Sequence, residues 1–296
     1  MSGAPVLDGS DASRTPDRQP RRLLVALDVD GTIVDLDGSL SPRVRRAVRA
    51  VRDAGHHVVI ATGRSVPGGT EIATRLGIDT GWLVLSNGTL TVRLDPSLPD
   101  GLQVVEAVTF DPTSAVRMLQ DLLPGALYAV ERPGQGYLVS TNWPVGELGG
   151  AATVVDDDQL LAEPCLRVVV RDLTRELDEF ERIVRGAGLH GVTWNLGWTS
   201  WLDLTPDGVS KATGLEALRG QLGVDPADTV AVGDFDNDVE MLRWAARGVA
   251  MGQAEPHVVA AADEVCAPVT EDGLADVLES LLPVRTRGPR WSQRIV

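Results

Sequence analysis

The chain has 296 residues, 42 of them acidic and 27 basic, which gives a formal net charge of −15 at pH 7. Nucleic-acid backbones and anionic membrane surfaces both require clustered positive charge, so this composition argues against either partner. No apolar run approaches the ~20 residues that cross a bilayer, the N-terminus carries no signal-type stretch, and the two cysteines lack ligand spacing, which together predict a cytoplasmic protein.

Strands and helices are predicted to alternate along the first part of the chain, after a polar and disordered tail at residues 1–20. Buried strands are indicated by the apolar runs Leu23–Leu27, Val58–Ala61 and Trp82–Leu85. A helix is predicted from Ser41, a good N-cap, to Gly55, and a second one around Glu71–Leu76. Short buried strands joined by helices form βαβ units, which predict a parallel sheet.

A different order, strand–helix–strand–strand, occurs twice in the middle of the chain. Its strands are predicted at Val104–Thr109, Leu127–Glu131, Tyr137–Ser140, Leu166–Arg171, Val192–Asn195 and Trp201–Leu204. Its helices are predicted at Pro112–Leu123 and Thr174–Gly186, where apolar side chains recur at helical spacing. This order is typical of a compact α+β domain, which we place at residues 89–205.

From Ser210 onward the first pattern resumes. Helices are predicted at Lys211–Leu222, Asp236–Arg247 and Glu271–Leu282, and strands at Thr229–Val232, Val249–Met251 and Glu264–Cys266. We therefore predict a doubly wound, parallel-sheet α/β core of residues 21–88 and 206–283, interrupted by the inserted α+β domain. Residues 284–296 lack a periodic pattern and are expected to form a second tail.

The first of four polar clusters, Asp28-Val29-Asp30-Gly31-Thr32, directly follows a predicted strand. In an extended chain Asp28 and Asp30 face the same side, roughly 6.5 Å apart, so two carboxylates share one site. Carboxylate oxygens suit Mg²⁺, and Gly31 with Thr32 would allow a turn whose N–H groups cradle an anion. The alternative is an Asp-Gly turn that caps a helix.

The second cluster is Ala61-Thr62-Gly63-Arg64, at the end of the next predicted strand. A threonine hydroxyl in this position can donate a hydrogen bond to a phosphoryl oxygen. Taken alone, Thr62 fits the N-cap of the following helix better, so both interpretations stay open.

The third cluster contains Lys211, which is the only lysine in the chain. It follows Ser210, the predicted N-cap, so its charge lies in the first turn of a helix. A cation there interacts unfavourably with the helix dipole, at a cost of roughly 0.3–1 kcal/mol. A charge that is unfavourable for stability indicates a functional role, here the balancing of a bound anion. The alternative is an ordinary, exposed helix lysine.

The fourth cluster, GDFDND at residues 233–238, places three carboxylates directly after a predicted strand. Carboxylates this close together need a cation or solvent. Asp234 is the best candidate for a metal ligand, and Asp236 fits the N-cap of the next helix. A solvated acidic loop is the alternative.

The clusters DVDGT, ATGR, GVSK and GDFDND, in this order, resemble the four motifs of the haloacid dehalogenase superfamily of phosphohydrolases. The inserted domain is similar in architecture to the large α/β cap of the Cof-type branch. Ser86–Gly88 and Val249–Gly252 also fit that branch, so the resemblance covers about residues 22–282. Phe235 departs from it, because the branch often has a small residue there.

The resemblance implies a Mg²⁺-dependent phosphatase that acts on a small phosphorylated metabolite, and we expect a sugar phosphate before other classes. Asp28 would be the nucleophile that forms an aspartyl-phosphate, and Asp30 the general acid and then the base. The implied phosphate-binding residues are Gly31, Thr62, Gly63, Lys211 and Asn237. The implied metal-binding residues are Asp28, Asp30 through its backbone carbonyl, Asp234 and Asp238. For Asp238 the alternative is to orient Lys211.

Arg132 and Tyr137, which flank a turn at residues 134–136, are the predicted cap residues for the leaving group. Two alternatives to the phosphatase stay open. A phosphomutase of the phosphomannomutase type would need a second phosphate site, for which Arg132, Arg167 and Arg171 are candidates. The other alternative is a non-catalytic metabolite-binding protein on the same scaffold. The sequence does not predict the oligomeric state.

Overall fold

The computed structural model of the protein describes residues 21–197 and 199–283. Both predicted tails, residues 1–20 and 284–296, lie outside that part of the chain. Among the described helices, none is long and apolar enough to cross a membrane.

The first part of the chain alternates strands and helices, as predicted. The strands are β1 (Leu24–Leu27), β2 (His57–Ala61) and β3 (Gly81–Leu85), and the helices between them are α1 (Pro42–Asp53) and α2 (Val66–Leu76). Helix α1 begins where Ser41 Oγ accepts the backbone N–H of Arg43 at 3.1 Å. Helix α2 starts at Val66, earlier than predicted, because a proline and two glycines obscure the apolar pattern of its first turns.

Two antiparallel strands, β4 (Leu90–Leu94) and β5 (Leu102–Ala107), extend this sheet beyond β3. The chain reverses at Ser86, Asn87 and Gly88, whose φ angles are 49°, 57° and 98°. The prediction started the inserted domain at residue 89, whereas the structure keeps residues 90–107 in the larger sheet. A reversal through three left-handed residues leaves no mark on the apolar periodicity, which is why the sequence placed this boundary too early.

The insertion forms a second, six-stranded sheet with helices on one face. Its elements are α3 (Thr113–Leu122), β6 (Leu127–Arg132), β7 (Gly136–Val139), β8 (Ala152–Val154), α4 (Asp157–Leu161), β9 (Arg167–Arg171), α5 (Leu177–Gly186), β10 (Val192–Leu196) and β11 (Trp201–Pro206). The strand order is β10-β11-β9-β6-β7-β8. On the covered face, Val130, Val168 and Leu202 belong to the same buried cluster as the helix residues Val116 and Phe180.

The other face of this sheet carries no helix of the described chain and points toward the larger sheet. Side chains alternate along a strand, so Glu131, Arg167, Trp201 and Asp203 stand on this open face. The insertion is therefore a lid-like domain that presents polar side chains to the core.

The chain then returns to the larger sheet. The remaining elements are α6 (Lys211–Leu222), β12 (Thr229–Gly233), α7 (Val239–Trp244), β13 (Arg247–Ala250), α8 (Pro256–Val259), β14 (Glu264–Val265) and α9 (Gly273–Ser280). Helix α7 is shorter than predicted, because a 3₁₀ turn at Asp236–Asp238 precedes it. The sheet order is β14-β13-β12-β1-β2-β3-β4-β5. The predicted class, a doubly wound α/β core with an inserted α+β domain, is confirmed.

The position of β1 decides where a site can form. It lies between β2 and β12 and is parallel to both. The chain builds outward from β1 in one direction and from β12 in the other, and such a reversal opens a crevice at the carboxyl ends of the two strands.

Candidate active site

A cleft of about 570 Å³ lies at the carboxyl ends of β1, β2 and β12, under the open face of the insertion. Its core side is lined by Asp28, Asp30, Thr62, Gly63, Phe235 and Asn237. Its opposite side is lined by Tyr137, Glu147, Arg167, Trp201 and Asp203. Clusters that follow separate strands in the sequence are therefore brought together at one place.

Lys211 lies at the start of α6, and its side chain is 0% exposed. Its Nζ donates to Asp28 Oδ1 at 2.6 Å and to Asp238 Oδ1 at 2.7 Å. Burial alone lowers the pKa of Lys211, but Asp238 and Asp28 outweigh it and raise that pKa, so the ammonium group stays charged. Lys211 thus joins the first, third and fourth polar clusters.

Asp28, Asp234 and Asp238 form a buried acidic cluster in which one carboxylate oxygen of each lies within 4.8 Å of the others. Burial and the charge of Asp238 raise the pKa of Asp28 well above its usual range. The same two causes raise the pKa of Asp234 to about 7. Among the described residues, three carboxylates face one ammonium group, so the donor set fits a divalent cation that prefers oxygen ligands.

Asp238 also fixes the segment that follows β12. Its Oδ2 accepts the backbone N–H of Asp234 at 3.0 Å and that of Phe235 at 3.1 Å. A Cβ on Gly233 would lie 2.5 Å from Asp238 Cγ, so the close approach requires glycine. With its other oxygen on Lys211, Asp238 orients both the lysine and the loop that carries Asp234.

The sequence predicted that the N–H of Gly31 would help to bind an anion, but in the structure this N–H is not available. Its N–H already donates to Val34 O at 2.8 Å. Its φ is +84°, and a Cβ would lie 2.1 Å from Asp234 Oδ2, so glycine is needed for close packing against that carboxylate. Gln253, which sequence reasoning missed, donates to Gly31 O at 2.6 Å and to Asp234 Oδ2 at 3.2 Å. The sequence held a clue to Gln253, because this residue directly follows Val249–Gly252, a segment that already fitted the family resemblance.

Asp30 lies in the cleft and is held by Arg64, another residue to which the sequence assigned no role. Arg64 donates to both Asp30 oxygens, from Nε at 3.0 Å and from a terminal nitrogen at 2.5 Å. Thr62 is buried, and its Oγ1 accepts the backbone N–H of Arg64 at 3.1 Å. The second cluster thus supplies a threonine that lines the cleft and a clamp for Asp30.

Asn237 lines the cleft, as predicted, but its side chain is tied to Asn87. Asn237 Nδ2 donates to Asn87 Oδ1 at 3.0 Å, and Asn87 Nδ2 donates to Asp203 Oδ2 at 3.1 Å. Asn87 has a left-handed backbone and a side chain that is almost fully buried. It therefore connects the loop after β12 with the inserted domain.

Arg167 holds the inserted domain to the core. It donates from Nε to Glu131 Oε2 at 3.1 Å and also contacts the Tyr137 hydroxyl and the carbonyl of Gly63. Ser86 Oγ reaches the same Glu131 carboxylate at 2.9 Å. Tyr137 lines the cleft, as predicted, yet its hydroxyl is engaged by Arg167 and Glu131.

Arg132 does not reach the cleft, contrary to the prediction. It follows Glu131 on β6, so it points to the helix-covered face. There it donates to the carbonyl of Gln159 at 3.0 Å and lies 3.5 Å from Glu163. The sequence showed a turn flanked by an arginine, but it did not show which strand residue faces the core.

Comparison with known proteins assigns the family. Residues 25–121 and 150–278 match the model of haloacid dehalogenase-like hydrolases. A phosphoglycolate phosphatase from Natronomonas pharaonis is 33% identical over 86% of this chain and 96% of its own. The phosphatase YitU from Bacillus subtilis, which acts on 5-amino-6-(5-phospho-D-ribitylamino)uracil, is 27% identical over 86% of this chain and 96% of its own.

A solved structure agrees with these sequence matches. The phosphatase BT1666 of the same superfamily, from Bacteroides thetaiotaomicron, superposes with a TM-score of 0.70 and 26% identity, covering 91% of this chain and 98% of that one. The chain therefore belongs to the haloacid dehalogenase-like hydrolase family, and within it to the phosphatases.

Proposed function

We propose that this phosphatase is Mg²⁺-dependent and hydrolyses a small metabolite phosphate with an uncharged polyhydroxy leaving group, such as a sugar phosphate. The main support is the buried contact of Lys211 with Asp28 and Asp238 beside Asp234, because a nucleophilic carboxylate, a cation for phosphoryl oxygens and carboxylate ligands for Mg²⁺ would then share one site.

In the proposed reaction, a carboxylate oxygen of Asp28 attacks phosphorus and the bond to the leaving oxygen breaks. Asp30, oriented by Arg64, gives its proton to that oxygen and releases the alcohol. Asp30 then takes a proton from water, whose oxygen attacks the phosphorus of the aspartyl-phosphate and frees inorganic phosphate and Asp28. Mg²⁺, held by Asp28, the carbonyl of Asp30 and Asp234, would neutralise charge on the phosphoryl oxygens.

Phosphate binding is assigned to groups that surround Asp28. The Thr62 hydroxyl, the Gly63 backbone and Lys211 would hold phosphoryl oxygens as charge develops in the transition state. Asn237 would add a side-chain contact from the loop after β12. Gly31 is proposed to act indirectly, by leaving room for Asp234, because its own N–H is already used.

The insertion, acting as the substrate domain, supports an uncharged leaving group. It contributes two carboxylates to the cleft, Glu147 and Asp203, and its one cleft-lining cation among the described residues is Arg167. That arginine already contacts Glu131, Asp203 and the Gly63 carbonyl. Carboxylates and the Trp201 ring suit hydroxyl groups and a sugar face, whereas they repel a carboxylate or a second phosphate.

The phosphomutase alternative gains no support from the same geometry. Its second phosphate site would use Arg132, Arg167 and Arg171, but Arg132 lies on the covered face and Arg167 is engaged. Arg171 donates to the carbonyl of Asp172 at 2.7 Å and lies 3.4 Å from Glu147. The non-catalytic alternative is set aside because the chain is a family phosphatase and both motif aspartates line the cleft.

A substrate panel tests the leaving-group assignment. We expect kcat/KM for hexose and pentitol phosphates to exceed that for phosphoglycolate by at least ~10-fold, because Glu147 and Asp203 repel the glycolate carboxylate. Glu147→Gln should narrow this ratio, while Glu163→Gln, which changes a carboxylate outside the cleft, should leave it unchanged. Phosphoglycolate as the best substrate would contradict the assignment.

Mg²⁺ should stabilise the protein in a pH-dependent way. In the metal-free folded state Asp234 keeps its proton up to about pH 7, whereas the unfolded chain ionises it near the usual 3.8. The stability from this protonation is present at low pH and lost as the pH rises through about 7. Because Mg²⁺ needs the ionised carboxylate, it should raise Tm more at about pH 8 than at about pH 5.5.

Thermal unfolding with and without Mg²⁺ measures this difference. Asp234→Asn should remove the Mg²⁺ shift, and Asp53→Asn, an exposed aspartate on α1, should keep it. A Tm shift that is equal at both pH values, or larger at the lower one, would be inconsistent with the metal site.

A further inference from the structure

A second cavity, of about 540 Å³, lies against the outer surface of α1 and α2. We call it the arginine pocket, and its lining residues are Leu40, Pro42, Arg45, Arg46, Arg49 and Arg75. None of these residues lines the catalytic cleft. The pocket is therefore a separate place on the core domain.

Three of its arginines have no counter-charge. The guanidinium groups of Arg45, Arg46 and Arg49 make neither ion pairs nor hydrogen bonds with any residue in 21–197 or 199–283. Arg43 on the same helix shows the usual arrangement, since it binds Asp276 at 2.5 Å and Glu279 at 2.7 Å. Like charges three and four residues apart destabilise a helix, so an anion bound here would relieve a repulsion along α1.

The fourth arginine is held in place and directed by the fold. Arg75 donates to Gly38 O at 2.6 Å and lies 3.7 Å from Glu71. Its contact reaches across from α2 to the segment before α1, next to the apolar wall formed by Leu40 and Pro42. The pocket thus combines positive charge, of which one guanidinium group is held in place, with a small apolar surface.

The surrounding charge makes the pocket unusual. The chain carries a net charge of −15, so an arginine on its surface has many acidic groups available as partners. A local concentration of unpaired guanidinium groups in such a protein creates a confined region of positive potential. An anion bound in the pocket would neutralise it.

We propose that the arginine pocket binds an anion that carries two linked phosphate groups. Guanidinium groups bind phosphate oxygens through paired, charge-assisted hydrogen bonds. A single phosphate carries about −1.5 to −2 charges near pH 7. This is less than the charge of +3 on the three unpaired guanidinium groups. Two linked phosphates match them, and an organic remainder would contact Leu40 and Pro42.

Such a ligand would join three parts of the core. It would contact α1 directly, α2 through Arg75, and through Leu40 the segment before α1, which follows the catalytic Asp28 and Asp30 in the chain. Because the ligand binds the folded protein alone, it should raise Tm without occupying the cleft. This site is independent of the phosphatase reaction, so its test does not depend on the substrate.

The test is calorimetric titration with inorganic diphosphate in EDTA, where no metal-dependent turnover occurs. The variant Arg45→Ser/Arg46→Ser/Arg49→Ser should bind diphosphate at least ~10-fold more weakly than the wild type. The matched control is Arg117→Ser/Arg182→Ser/Arg243→Ser, which removes three exposed arginines elsewhere and causes the same change in net charge. It should bind within about two-fold of the wild type.

Three further readouts decide the interpretation. Orthophosphate should bind the wild type at least ~10-fold more weakly than diphosphate. The pocket variant should keep wild-type phosphatase activity. Its Tm without ligand should not fall below that of the matched control variant, because both lose the same helix propensity and only the pocket variant relieves repulsion along α1. Equal weakening in both triple variants, or no weakening in the pocket variant, would overturn the proposal.

Discussion

Asp28→Asn should abolish turnover, with a fall in kcat on the order of 10⁴-fold or more, because an amide oxygen cannot form the aspartyl-phosphate. The fold should survive the change. Burial and neighbouring carboxylates raise the pKa of Asp28, so its charge is costly to the metal-free folded state, and a neutral side chain of the same shape relieves that cost. Steady-state phosphate release and thermal unfolding measure the two effects.

Asp53→Asn is the matched control for this variant, because it makes the same substitution at an exposed site on α1. It should leave both activity and Tm unchanged. Activity near the wild-type level in Asp28→Asn would remove the nucleophile assignment, while a large loss of Tm would show that the buried charge stabilises the fold.

Lys211→Arg should lower kcat by ~10²–10³, although the charge is conserved. The lysine Nζ fits between Asp28 and Asp238 at 2.6 Å and 2.7 Å in a fully buried position. A planar guanidinium is wider than an ammonium group and cannot occupy the same point without displacing one carboxylate. Because Lys211 is fully buried, the larger side chain should also bring an overpacking cost of ~1–3 kcal/mol.

The control for this exchange is Arg219→Lys on the same helix. Arg219 lies outside the cleft, where it is paired with Glu216 at 2.6 Å and donates to Val224 O at 2.5 Å, so the reverse substitution should leave kcat unchanged and lower Tm only slightly. Normal turnover in Lys211→Arg would mean that any cation beside Asp28 supports catalysis, whatever its shape.

The part of the site that follows strand ends was predictable from the sequence. Asp28, Thr62 and Asp234 each stand directly after an apolar run, and parallel strands bring their carboxyl ends to one edge. Lys211 was predictable for a different reason, since a lone lysine in the first turn of a helix is unfavourable without an anion. For these residues, the order of the predicted elements along the chain was enough to place them in one site.

The remaining contacts depend on facing and register, which one sequence does not reveal. Glu131 and Arg132 are neighbours, yet Glu131 faces the core, whereas Arg132, a predicted cap residue, faces the helices. Arg64 and Asn87 act through partners 34 and 116 residues away, Asp30 and Asp203. No local pattern records such pairs, because the geometry that creates them is that of the assembled domains.

The most direct test of the central claim is a pre-steady-state burst experiment on Asp30→Asn, with p-nitrophenyl phosphate in excess over the enzyme. Nitrophenolate leaves without a proton, so the first step should proceed, whereas activation of water by Asp30 is lost. We predict a rapid burst of nitrophenolate close to the enzyme concentration, slow release of phosphate, and a phosphoryl group on the peptide that contains Asp28. Simultaneous release of nitrophenolate and phosphate from the first turnover, or a phosphoryl group on another residue, would contradict the mechanism.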